Sequence, residues 1–311
     1  MILGTAMSGF PDDGAAMIRS VAAPCGVFVH PGGSTVRPSI LLAAVGLGFS
    51  LGSFSLDARA GEDDLDDYPL AYATRPMTLY TNLLSPYVAG DFSRFVADPS
   101  SVKSAPRELG NNLTIQAGAK YGITKFLEVE AALAQIQILP KVAYGNPTLG
   151  ATFRLLQSTI EIGVRARIAI VTAADTAGIV AVPSVPMLVH IGKSMRLDFS
   201  LGLPVTVARG KPTTVGVDLP VALALNLTDT LHAGVQSNVY IEKFSDVGGS
   251  FTVPLGFFAG FSIGTDAPIL EFNPFFTWPK FAQPGATDPG AQKINIDVFT
   301  AGLAVRGYIS F

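Results

Sequence analysis

The sequence has few charged residues and almost no cysteine. Asp, Glu, Lys and Arg together make up 14% of the 311 residues, whereas a soluble domain carries about 25%. The one cysteine, Cys25, excludes a disulfide scaffold. The net charge is -3 and the sequence has no basic patch, which argues against a nucleic-acid binder. These shortages exclude several classes of soluble protein.

Hydrophobic residues are abundant, but they do not form helical membrane spans. They make up 49% of the chain, and the mean hydropathy is +0.41. A spanning helix needs about 20 consecutive apolar residues. Three uncharged stretches approach that length, at 38–56, 176–192 and 247–265, and Pro and Gly interrupt the last two. The composition therefore predicts a membrane protein whose spans are not helices.

The stretch 38–56 is similar to the apolar core of a secretory signal. Arg37 precedes it, and Ala58 and Ala60 supply the small residues that signal peptidase reads. We therefore predict a leader over 1–60, with a membrane anchor as the alternative. Residues 61–76 would form an acidic periplasmic segment with five acids in 62–67. We interpret the acids as a solvated tail, although a cation-binding site or a plug inside a barrel is also consistent with them.

The mature chain alternates between apolar and polar residues with a period of two. In 159–170 the apolar side chains fall on one face, and Glu161, Arg165 and Arg167 fall on the other. The pattern predicts twelve strands, long enough to cross a bilayer with a tilt. Their predicted bounds are 77–93, 111–122, 125–137, 146–156, 159–172, 180–192, 195–208, 213–227, 230–243, 251–264, 268–280 and 296–311.

The connections between the predicted strands alternate in length. Those after the second, fourth, sixth, eighth and tenth strands have two or three residues, and the longest lie at 94–110 and 281–295. Short turns at one end and long loops at the other are typical of a transmembrane barrel, with the short turns periplasmic. Pro204, Pro220 and Pro254 fall within strands, and we expect bulges there because proline cannot donate a ladder hydrogen bond.

The fold class that the pattern predicts is all-β. It is a transmembrane, antiparallel, up-and-down β-barrel over 77–311, with short periplasmic turns and longer extracellular loops. The alternative is a secreted β-sandwich, which also alternates but points its apolar face inward. The predicted strands exceed the usual five or six residues. In hydrocarbon every backbone polar group must be paired, which requires the sheet to close. Ten or fourteen strands remain alternatives to twelve.

The end of the chain carries a more specific signal. Phe311 is the last residue, and Phe299, Ala301, Leu303, Val305 and Ile309 share its face. This resembles the C-terminal strand of bacterial outer-membrane β-barrels, although Gly307 departs from that pattern. The resemblance implies export to the bacterial outer membrane, contact with its lipid, and recognition of Phe311 by the barrel assembly machinery.

Charged residues on the predicted inner face mark a candidate site. We predict that they line the lumen, where they form either structural salt bridges that fill a small barrel or a constriction that selects ions. Lys120 and Glu271 share this face. The nine candidates are Glu128, Glu130, Arg154, Glu161, Arg165, Arg167, Arg196, Asp198 and Arg306.

The extracellular half of the predicted lumen is less charged and carries residues such as Gln236, Asn238 and Phe258. This lining suits small solutes that are weakly polar or hydrophobic. We therefore expect a channel for passive transport of a small-molecule solute. The alternatives are a non-conducting barrel that is structural or adhesive through its long loops, and a lipid-modifying enzyme. His190 and His232 are interpreted as lining residues, and we expect no catalytic residues, metal or cofactor.

Overall fold

A computed structural model describes residues 68–96, 109–140, 142–171, 177–244, 247, 251–282, 294 and 296–311. The predicted leader and the acidic run 62–67 lie outside these residues, as do most residues of the loops 94–110 and 281–295. Within this part of the chain, no helix is both long and apolar enough to span a membrane.

The structure is a closed antiparallel barrel of twelve strands. Five of the twelve spans are divided into two segments, so that seventeen segments make up the sheet. A short 3-10 turn at Tyr72–Thr74 precedes them. The segments are β1 (Leu83–Val96), β2 (Leu109–Thr124), β3 (Leu127–Ala132), β4 (Ile136–Leu139), β5 (Ala143–Tyr144), β6 (Thr148–Leu156), β7 (Ile160–Val171), β8 (Gly178–Ile191), β9 (Met195–Gly202), β10 (Val205–Ala208), β11 (Thr214–Val215), β12 (Val217–Asn226), β13 (Leu231–Ile241), β14 (Phe251–Ile263), β15 (Leu270–Ala282), β16 (Phe299–Gly307) and β17 (Ile309–Ser310).

The first and last spans close the barrel. β1 pairs with β2 along one edge, and along the other it pairs with β16 and β17, with Tyr87 opposite Arg306. All the pairings are antiparallel between successive spans, which the short turns require. Closure leaves no unpaired edge, as hydrocarbon demands. The predicted fold class and strand count are confirmed.

The alternation in the sequence becomes the two faces of the wall. On β7, the side chains of Val164 and Ile168 point outward and are each 45% exposed, whereas those of Glu161 and Arg165 point inward and are 3% and 7% exposed. Successive side chains of a strand point to opposite faces. A period of two in the sequence therefore places the apolar side chains outside and the polar side chains inside. The apolar face lies outside, which is the reverse of a soluble sandwich.

The prolines and the first strand refine the sequence-based prediction. Pro204 separates β9 from β10, and a register shift marks Pro254. The bulge predicted at Pro220 is wrong, because Pro220 pairs in register with Asn238. Asn238 Oδ1 accepts the neighbouring Leu219 N–H at 3.0 Å. The first strand begins at Leu83 and not at 77. The residues before Leu83 lie inside the barrel and are described below.

A charge on the outer face should destabilise the barrel. We expect Val164→Lys, near the middle of β7, to cost about 2–4 kcal/mol of folding free energy, because the ammonium would meet hydrocarbon. Thr206→Lys, on the inner face of β10, is the control and should cost much less. Urea-dependent unfolding in lipid vesicles measures both. Equal losses of stability would contradict the assignment of the two faces.

Candidate functional site

The structure places all nine charged candidates on the inner face of the barrel. Most lie within a few residues of the short turns, so they concentrate at that end of the barrel. Arg167 and Glu130 are the most exposed, with 12% and 16% of their side chains accessible. The other seven residues are 1% to 7% exposed. They are Glu128, Arg154, Glu161, Arg165, Arg196, Asp198 and Arg306.

These charges pair along the wall with near neighbours. Arg154 Nη1 lies 3.2 Å from Glu161 Oε2, and Arg196 Nη2 lies 2.8 Å from Asp198 Oδ1 on the same strand. Arg167 forms a two-point pair with Glu130, with 2.9 Å between Nη2 and Oε2. These pairs neutralise much of the lining charge.

The Arg167–Glu130 pair reaches across an intervening strand. Gly150 on β6 lies opposite both residues, and a Cβ there would clash with the Glu130 side chain. The glycine therefore leaves the space through which the two side chains meet.

Residues 68–82, which we call the inner segment, lie inside the mouth of the barrel at the end with the short turns. Their contacts fall on residues beside the short turns of strands all around the barrel. Tyr68, Ala73, Arg75 and Thr78 are each 0% exposed. At the end of the segment, Asn82 adopts a positive φ of 61°, which asparagine tolerates. The segment fills the end of the lumen before the chain enters β1.

Arg75 is the central anchor of the inner segment. Its guanidinium pairs with Glu271, which is 1% exposed, and donates to Ser262 Oγ at 2.8 Å and to Tyr308 Oη at 3.0 Å. It also donates to two carbonyls of its own segment, Pro69 O and Leu70 O. Burial is the largest single effect and opposes the charge, but Glu271, Tyr308 and Tyr68 together outweigh it and raise the pKa of Arg75 above its ordinary value. The arginine stays charged.

The charged residues of the wall hold the backbone of the inner segment. Glu161 Oε2 accepts the Met77 N–H at 2.9 Å, and Glu128 Oε2 accepts the Leu79 N–H at 3.0 Å. Arg196 Nη1 donates to Arg75 O at 3.0 Å. The 3-10 turn satisfies only a few backbone groups within the segment, and buried backbone groups need partners, so these carboxylates and this guanidinium replace the missing ladder.

Both histidines of the described chain also serve the inner segment. His190 Nδ1 lies 2.8 Å from Ala73 O, and Nε2 lies 3.1 Å from Glu161 Oε1. His232 is 2% exposed and stacks on Tyr72 with 4.1 Å between ring centroids. Phe258 packs against the same tyrosine. Their inward orientation agrees with the expectation from sequence, and the structure adds their partners.

Beyond the inner segment the lining combines uncharged polar residues with a few charged ones, such as Asp218. Asn238 Nδ2 donates to Asp218 Oδ1 at 2.7 Å, and Gln236 Nε2 lies 3.4 Å from Thr277 Oγ1. These residues are 5% exposed or less, so the lumen is narrow here.

Arg75 is the main residue that sequence reasoning missed. It lies in a stretch without alternation, 68–77, that carries two tyrosines and two prolines and ends five residues before the first strand. Bulky aromatic residues without a period of two, next to a barrel, are a signal for a segment that packs inside it.

The comparisons support the fold. No family model and no curated protein matches the sequence. The COG4313 outer membrane channel from Pseudomonas putida F1 is 10% identical with a TM-score of 0.54, over 78% of this chain and 98% of that one. The NanC porin is 6% identical with a TM-score of 0.51, over 71% of this chain and 98% of that one. The likeness shows a fold of the outer-membrane barrel type.

Proposed function

We propose that the protein is a channel of the bacterial outer membrane for passive transport of small solutes. The observation that carries the proposal is the closed barrel with an apolar outer face and a polar inner face. Such a wall separates a lumen from lipid, and the solved structures with the same fold include an outer membrane channel and a porin. The narrow, weakly charged extracellular half supports small, weakly polar or partly apolar solutes. Export would use the predicted signal over 1–60.

The test is single-channel recording in a planar lipid bilayer. We expect the refolded protein to give discrete, small conductance steps, because the inner segment restricts the periplasmic mouth. Heat-denatured protein is the control. If the gel mobility shows that the protein is folded and it still produces no conductance, the channel proposal is overturned.

The inner segment itself favours one other candidate, a barrel that does not conduct. A lumen filled at one end by buried residues suits a structural or adhesive role, in which extracellular loops bind a partner. The loops concerned, 94–110 and 281–295, lie mostly outside the described residues. The same recording separates the two functions.

Arg165 and Arg167 should influence ion selectivity if solutes pass them. We expect the double variant Arg165→Gln, Arg167→Gln to shift selectivity toward cations, because two positive charges leave the lining while Glu130 remains. The reversal potential in a KCl gradient measures the shift. Arg209→Gln, an exposed residue after β10, is the control. An unchanged reversal potential in the double variant would assign both arginines a structural role.

We further propose that Phe311 is read by the barrel assembly machinery. Its side chain is 55% exposed, while its N–H donates to Asn82 O at 3.2 Å, so the ring is available at the periplasmic end. We expect Phe311→Ala to lower the amount of folded barrel in outer membranes several-fold and to leave refolding from urea nearly unchanged. The gel-mobility shift between heated and unheated samples measures the folded fraction in both experiments. Equal amounts of folded wild type and Phe311→Ala in outer membranes would contradict the proposal.

A further inference from the structure

Asp91 is a carboxylate on the inner face of β1, in the half of the lumen away from the inner segment. It shares this face with Ala89, which is 3% exposed, whereas Val88 points outward and is 44% exposed. Asp91 and Ser93 are both partly exposed. Because their side chains point inward, this exposed surface faces the lumen. A small solute in the lumen can therefore reach the carboxylate.

In the described part of the chain, the side-chain hydrogen bonds of Asp91 all come from hydroxyl groups. Thr114 Oγ1 on β2 donates to Asp91 Oδ2, and Ser93 Oγ donates to Asp91 Oδ1 at 3.1 Å. Ser93 Oγ also lies 2.9 Å from Thr300 Oγ1 on β16. Since the Ser93 proton points to Asp91, Thr300 is the donor of that bond. Hydroxyl groups from three strands thus donate toward one carboxylate, which favours its charged form.

No lysine or arginine among the described residues forms an ion pair with Asp91, unlike the carboxylates near the short turns. On the inner faces of the two adjoining strands, the cations are Lys120 and Arg306. Lys120 lies opposite Ser85, and Arg306 lies opposite Tyr87. The four residues from Tyr87 to Asp91 span about 13 Å. A carboxylate has about four lone-pair sites and the hydroxyls use two, so a cation in the lumen would find acceptors free.

The wall beside Asp91 also has buried acceptors that lack donors. Asn112 Oδ1 and Gln116 Oε1 on β2 have no hydrogen-bond partner among the residues that the structure describes, and Gln116 is 5% exposed. Both residues are diagonal neighbours of Asp91 on the inner face, because Thr114 between them lies opposite Asp91. A buried polar group without a partner is costly. This part of the wall therefore favours a ligand that brings donors.

An aromatic ring lies next to the carboxylate. Gly302 on β16 is opposite Asp91 on one side and opposite Phe275 of β15 on the other. A Cβ at Gly302 would clash with the far end of the Phe275 ring, so the ring leans over the glycine toward β1. Phe275 is partly exposed. An aromatic face attracts a cation within about 6 Å of its centre, and its carbon atoms also suit an apolar group.

We propose that the inner face at Asp91 binds a small primary amine in its ammonium form. The ammonium group lies at Asp91, and the apolar part of the amine lies along Phe275. An ammonium group has three N–H donors and no acceptor, which matches a wall of carboxylate and amide oxygens. This inference rests on the proposed channel function, for which it names a class of solute.

Phenethylammonium is the probe, and isothermal titration at pH 7 to the barrel in phosphatidylcholine nanodiscs is the measurement. We expect saturable binding that Asp91→Asn weakens about tenfold or more, because it removes the charge but keeps the shape of the side chain. Phe275→Leu should weaken binding less. The matched control Asp229→Asn removes the same charge from an exposed turn and should leave the affinity unchanged. Empty nanodiscs correct for probe that enters the lipid.

A neutral analogue tests the same site in the wild type, so this comparison does not depend on the folding of a variant. 2-Phenylethanol lacks the charge and should bind about tenfold more weakly than phenethylammonium. Equal wild-type affinity for the two compounds would overturn the inference.

The variants distinguish the site from the channel. Equal phenethylammonium affinity in the folded wild type and Asp91→Asn would overturn the site, even in a protein that conducts. Equal weakening by Asp91→Asn and Asp229→Asn would also overturn it, because the effect would then follow net charge. Saturable, Asp91-dependent binding in a protein that does not conduct would support the site and overturn the channel.

Discussion

Single-channel conductance should rise several-fold when the mature chain begins at Leu79. This truncation removes the part of the inner segment that crosses the mouth, including the fully buried Arg75 and Thr78. It leaves β1 complete, because that strand begins at Leu83. The wall carboxylate of Glu161, which now holds the Met77 N–H, would face water in a wider mouth. Planar-bilayer recording of both proteins measures the change.

The truncated barrel should still fold, because closure does not involve the inner segment. β1 pairs with β2 over its whole length and with β16 and β17 on its other edge. The gel-mobility shift between heated and unheated samples checks this. Equal conductance in the folded truncated and full-length proteins would contradict the view that the inner segment occludes the lumen.

A disulfide that fixes the inner segment to the wall should have the opposite effect on conductance to removal of the segment. The Ala73 N–H donates to Asn226 Oδ1 at 3.0 Å, so the two residues are in contact and are the positions chosen for the cysteines. Cys25 is the only native cysteine, and it lies in the predicted leader. We expect Ala73→Cys, Asn226→Cys to give its lowest conductance when oxidised and to regain the wild-type value on reduction. Oxidised protein that conducts like the truncated form would refute the assignment.

The barrel itself was predictable from sequence because its signal is local. Alternate side chains of a strand face lipid and lumen in turn, so each strand shows an alternation of apolar and polar residues over about ten positions. The inner segment carries no such signal. Its fold depends on contacts such as Arg75 with Glu271, 196 residues apart, and on backbone groups that the wall satisfies. The same holds for the pairing of wall charges, since it depends on register and on the space at Gly150.

Replacing Arg75 should release the inner segment from the wall. Arg75→Ala removes the ion-pair partner that Glu271 has in the inner segment, and it leaves the Tyr308 hydroxyl, which donates to Glu271 at 3.0 Å, and Arg306, which lies opposite Glu271 on the wall. Removing one partner of a buried ion pair costs about 3–5 kcal/mol. Because the segment is held by a limited set of hydrogen bonds, the mouth can avoid this cost if the segment leaves and water reaches Glu271. The expected result is local release within a barrel that stays folded.

Hydrogen exchange of the amides of Met77 and Leu79 measures this release, since both amides are now bonded to wall carboxylates. We expect Arg75→Ala to abolish most of their protection, and Arg209→Ala, at an exposed position, to leave it unchanged. The double variant Arg75→Met, Glu271→Leu removes both charges of this pair and should restore much of the protection, because Glu271 no longer lacks the Arg75 charge. Protection that survives in Arg75→Ala would show that the hydrogen bonds of the wall to the backbone hold the segment without the ion pair.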